Sequence, residues 1–148
     1  MKRITYILLI FLISCGYQPI YLSEKKENLT FNEIELKGDK EINDKIINLI
    51  GIKKNNNSST QKKLDLNSFL NIIETSKNSK GEVTSYKSVV TVNLSIEQDG
   101  QIIKKKRFIQ DFSYNKRDNK FDLVEYQNEI KKNIINKIID EIIVYINL

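Results

Sequence analysis

Ile34 and Leu36 alternate with Glu33, Glu35 and Lys37, the period of a strand with one buried face, so residues 29–37 read as a first strand. Gly38 ends it. Asp39 then offers a side-chain cap, and Ile42, Ile46, Leu49 and Ile50 recur at helical spacing up to Gly51, a glycine placed to close the helix. Residues 53–63, with Asn55-Asn56-Asn57-Ser58-Ser59 at their centre, have no apolar period and read as a loop. Alternation resumes over 64–75, where Leu64, Leu66, Leu70 and Ile72 share one face and Phe69 and Ile73 the other. A polar turn over 76–81 leads to the clearest strand, 83–97, in which Tyr86, Val90, Val92, Leu94 and Ile96 oppose Thr91, Asn93 and Ser95.

Gln98-Asp99-Gly100 sets the register of the next strand. A two-residue Asp-Gly turn pairs Ile96 with Ile103 and Val90 with Ile109; a three-residue loop pairs Ile96 with Ile102, Val90 with Phe108 and Tyr86 with Phe112. The second register is preferred, because it places Gly100 in a left-handed bulge position and gathers the aromatics on the apolar face. Neither register accounts for Lys104-Lys105-Lys106-Arg107 as core. The last element is a long helix capped by Asp122, with Ile130, Ile134, Ile138, Ile142 and Tyr145 as a stripe widened by Ile135, Ile139 and Ile146. β-branched residues depress intrinsic helicity, so this helix depends on covering a sheet, and the stripe reads as core rather than as a cofactor site. The predicted fold is α+β: a four-stranded, mostly antiparallel sheet in the order strand-helix-strand-strand-strand-helix, with both helices packed on one face. A crossover through the first helix brings the first strand into that sheet.

The start of the chain has a different pattern. Lys2 and Arg3 precede an apolar run over 4–13, and Leu12-Ile13-Ser14-Cys15 ends it with a small residue before the only cysteine. The run is about half the roughly 20 residues a membrane-spanning helix needs. It reads as a bacterial lipoprotein signal: cleavage before Cys15 leaves that residue acylated and the protein held on a membrane by its lipid chains. By resemblance to known lipoproteins, Gly16 rather than Asp after the cysteine favours sorting to the outer membrane. The chain therefore divides into a signal peptide (1–14), a lipidated tether (15–28) and one α+β domain (29–148).

Losing residues 1–14 removes Lys2 and Arg3 and no acid, lowering the formal charge from +5 to +3, too mild for a polybasic nucleic-acid binder. No nucleic-acid partner is expected. With one cysteine there is no internal disulfide, so packing alone must hold the fold. Histidine is absent, no phosphate loop or spaced metal-ligand set appears, and the acid pairs Glu41 with Asp44 and Asp140 with Glu141 sit on helix faces among lysines and isoleucines. An enzyme is not expected, and neither is a metal or cofactor.

Cys15-Gly16-Tyr17-Gln18-Pro19-Ile20-Tyr21, the predicted element order and the long amphipathic C-terminal helix together resemble the LptE family of lipopolysaccharide-assembly lipoproteins. That resemblance implies an outer-membrane lipoprotein seated within the LptD β-barrel, where it helps the barrel assemble and lipopolysaccharide reach the outer leaflet. A cationic ridge attracts phosphates, so Lys104, Lys105, Lys106 and Arg107 are the candidate lipopolysaccharide contacts. The same four residues equally suit an edge strand guarded against unwanted pairing. Two other readings stand beside this one: a pilotin-like lipoprotein escorting a different outer-membrane complex, and a lipid-anchored cell-wall hydrolase.

Overall fold

A computed structural model describes residues 29–55 and 61–147. Eight elements follow one another: β1 (Thr30–Phe31), β2 (Glu33–Gly38), α1 (Lys40–Ile50), β3 (Lys53–Lys54), β4 (Lys62–Lys77), β5 (Val83–Gln98), β6 (Gln101–Asn115) and α2 (Lys120–Asn147). The main sheet has the order β2-β4-β5-β6, with β2 parallel to β4 and the other pairs antiparallel. Both helices lie on one face, and the α+β class read from the pattern holds. Ile42 and Ile46 of α1, Ile135, Ile138 and Ile142 of α2, and Leu64, Leu66, Val90, Val92 and Leu94 of the sheet are buried in one continuous core.

α1 begins and ends where its cap residues stand. Asp39 accepts from the Ile42 amide at 3.1 Å, and Gly51 closes the helix at φ 79° by donating to the Ile47 carbonyl. Asp122 is not the cap of α2. Asn119 holds that place, its side chain accepting from the Phe121 amide at 2.9 Å, and Asp122 sits in the first turn. The first strand is interrupted: at Asn32 the chain exchanges two 2.8 Å hydrogen bonds with Lys62, one through the Asn32 side chain, and this separates β1 from β2. β1 then pairs with β3 inside the stretch read as a loop, since Lys53 and Asn55 donate to the Leu29 and Phe31 carbonyls. Two-residue strands carry no readable alternation, which is why the pattern missed them.

The β5–β6 register differs from both alternatives. Asp99 and Gly100 form a two-residue loop with φ of 49° and 81°, the mirror-image turn that suits strand twist, and Asp99 is held there by Gln61 through both its backbone and its carboxylate. The three-residue loop is thus overturned. The two-residue register does not follow either, because β6 carries one extra residue between the partners of Glu97 and Ile96: Ile102 opposes Glu97, Lys104 opposes Ile96, and Ile103 bulges. From there on Phe108 faces Val92, Gln110 faces Val90 and Tyr114 faces Tyr86. The aromatics still meet, with Tyr114 stacked on Tyr86 and set edge-on to Tyr126 of α2.

Candidate functional site

The bulge at Ile103 decides what the basic run of β6 does. It turns Lys104 and Lys106 toward the helices and Lys105 and Arg107 toward the uncovered face, so the four cations do not form one ridge. Lys104 donates to the carbonyls of Tyr145 and Ile146 at 3.0 and 2.8 Å, where the C-terminal end of α2 carries partial negative charge. Lys106 lies 5.1 Å from the centre of the Tyr145 ring and 5.0 Å from that of Phe108. These two lysines hold α2 against the sheet. They explain how part of a cationic run stands over core positions, a question the sequence pattern left open.

The uncovered face is assembled in rows that cross all four strands. One row runs Glu35, Asp65, Ser95, Lys105; the next runs Lys37, Asn67, Asn93, Arg107. These rows line a hollow of about 370 Å³. Its two sides differ in charge. On the β2–β4 side Lys63 is within 3.3 Å of Glu33 and 3.0 Å of Glu35, and Glu35 also meets Lys37. Hydrogen bonds from Lys37 and Lys63, together with their charges, hold the Glu35 carboxyl down at about 2, and the same acids raise the Lys63 ammonium above its ordinary range. On the β6 side, Lys105 and Arg107 meet no carboxylate among the described residues. Two shielded oxygens, Asp65 Oδ1 and Asn67 Oδ1, have no hydrogen-bond partner there, although Asp65 Oδ1 lies 3.7 Å from Lys63 Nζ.

Farther along this face the polar character ends. Thr91, set by the alternation opposite the apolar face of β5, is buried between Phe69 and Ile109, which are themselves 44% and 48% exposed. Ile73 adds to this apolar half. One acid of each pair has a structural partner: Glu41, together with the α1 cap Asp39, binds Lys131 of α2, at 2.8 and 3.3 Å, and Glu141 accepts from Gln110. Burial between the helices works against the Lys131 charge, yet the hydrogen bonds it donates to Glu41 and Asp39 outweigh that and keep the ammonium above its usual range. Cys15, the sequence-derived lipid attachment residue, lies outside the described residues. No helix among the described residues is long and apolar enough to cross a membrane.

No protein-family model matches the chain, and no curated protein matches it in sequence. Its fold matches solved bacterial lipoproteins. The crystal structure of rare lipoprotein B from Shewanella oneidensis superposes with a TM-score of 0.61 at 15% identity, covering 78% of this chain and 94% of that one. Lipoprotein B from Nitrosomonas europaea, solved in solution, gives 0.59 at 12% identity over 84% and 88% of the two chains. A minor lipoprotein from Acinetobacter baumannii gives 0.55 at 14% identity over 77% and 89%. The shared property is the α+β architecture with both helices on one sheet face.

Proposed function

We propose that this chain is an outer-membrane lipoprotein of the LptE kind, anchored through acylated Cys15 and acting as the partner subunit of the LptD barrel in lipopolysaccharide export. The observation that carries the reading is the union of two independent features. A lipoprotein signal ends at Cys15, and the domain behind it has the fold of the lipoproteins above. The polar half of the uncovered sheet face suits a subunit seated in a wet lumen, since its Glu35, Lys37, Asn93 and Ser95 can stay hydrated or pair across a polar wall. For lipopolysaccharide phosphates, Lys105 and Arg107 are the contacts of choice, because Lys104 and Lys106 are engaged with α2. We assign the chain no catalytic step.

The test is capture of the C-terminally tagged protein from gently solubilised membranes at native expression, with the stoichiometric partner identified by mass. Recovery of the large β-barrel of the lipopolysaccharide exporter supports the reading. A secretin in its place points to a pilotin-like escort, and a protein that captures no barrel leaves the translocon role without a partner.

A further inference from the structure

Among the described residues, the outer edge of β6 is free. β6 pairs only with β5, and over Gln101–Asn115 no other described strand meets its far side. Such an edge presents a row of unpaired backbone donors and acceptors. Beside its C-terminal half runs a groove of about 390 Å³ between β6 and α2, where Phe112, Tyr126, Ile130 and Ile134 form an apolar strip bordered by polar and charged residues, Asp111 and Glu129 among them. The groove lies on the flank of α2 turned away from Lys131 and α1, which is the flank next to that edge. An edge strand alongside a helix-walled groove with an apolar strip is the geometry by which an extended peptide adds a strand to a sheet: main-chain bonds give affinity and pockets for alternate side chains give selectivity.

The occupant follows from charge. Lys105 and Arg107 sit at the edge on the uncovered face without a carboxylate partner, and the acid of the strand, Asp111, is already 3.0 Å from Lys87. A second copy of β6 is a poor partner, because two strands each bearing Lys104, Lys105, Lys106 and Arg107 against one Asp111 repel. We propose that the β6 edge binds an extended acidic segment of another protein by strand addition. Alternate residues of that segment place carboxylates beside Lys105 and Arg107 on one face and apolar side chains toward the Phe112 groove on the other. About eight residues reach from Lys105 to Phe112 at the rise of a strand. A closed barrel wall has no edge to offer, so within the translocon reading the segment comes from a loop or a free terminus of the partner. The inference rests on the chain being an interaction protein and is independent of which barrel it joins.

A ten-residue peptide of alternating valine and glutamate, with its valine–lysine counterpart as control, is added to the full chain in detergent while amide exchange is followed residue by residue. The glutamate peptide is expected to slow exchange along β6 and leave the β2 edge unchanged, and the lysine peptide to do neither. Lys105→Glu combined with Arg107→Glu, both on the solvent face, weakens the glutamate peptide about tenfold or more and reverses the preference. Equal action of both peptides, protection of β2 instead of β6, or no protection of β6 overturns the proposal. So does a concentration-dependent dimer whose β6 amides are slowed without peptide, since that assigns the edge to a second copy. Recovery of a different barrel, with β6 still protected by the glutamate peptide, overturns only the translocon reading.

Discussion

Gly38 is the residue with the least freedom to change. It has φ of 84°, and a Cβ built there falls 1.9 Å from the Ser68 carbonyl oxygen, backbone that cannot step aside without breaking the β2–β4 pairing. Asp39, next in the chain, donates its amide to that same carbonyl and caps α1, while Ser68 Oγ is bonded to both the Asp39 carbonyl and Asn43 Oδ1. Gly38→Ala is therefore expected to cost well over the roughly 1–2 kcal/mol of a left-handed L-residue, with urea unfolding as the measurement. Gly100→Ala, at φ 81° with open space around it, is expected to cost only that backbone penalty. Glu35 gives the pH counterpart. Its folded pKa of about 2 lies below the ordinary 4.5, so its contribution to stability is fully present above pH 4.5 and is lost as pH falls toward 2. The stability difference between the protein and Glu35→Gln should shrink over that window and vanish below it; a difference undiminished from neutral pH down to pH 2 would exclude the ion pairs as its source.

At the scale of elements, the alternation of the basic run makes a prediction of its own. Lys104 satisfies two carbonyls at the end of α2, whereas Lys105, its neighbour, faces solvent. Lys104→Met is expected to destabilise by about 1–2 kcal/mol and to speed amide exchange in the last turn of α2; Lys105→Met should stay within about 0.5 kcal/mol. Equal effects would mean that the bulge at Ile103 does not divide the run. α1, with Asp39 before it and Gly51 after it, was legible because both signals are local chemistry. The register of β5–β6 was not. Turn residues specify a loop length, but an inserted bulge residue shifts every later pair by one, and no residue type announces a bulge away from the turn itself. The β6 cations were read as one ridge for that reason: four consecutive residues on a strand must divide between two faces, and only the register says which pair goes where.

For the whole molecule, the two helices and the four-stranded sheet share one core, so the domain is expected to unfold in a single transition. Ile138→Ala in α2 and Ile46→Ala in α1, both fully buried, should each lower that one transition by about 2–4 kcal/mol, seen by calorimetry and by far-ultraviolet dichroism alike. Two separate transitions would show that α2 covers the sheet without being coupled to α1 through Lys131. By itself the sequence determined the order of the main strands and helices, the buried faces of β4, β5 and α2 and the caps of α1, all of which rest on period or on local capping. Tertiary structure decided the rest: that Lys104 and Lys106 close α2 while Lys105 and Arg107 meet no carboxylate among the described residues, that Thr91 is buried by Phe69 and Ile109, and that β6 is the edge of the described sheet beside a groove. Those outcomes depend on strand order and on a one-residue shift in pairing, which are relations between segments distant in the chain that no local pattern carries.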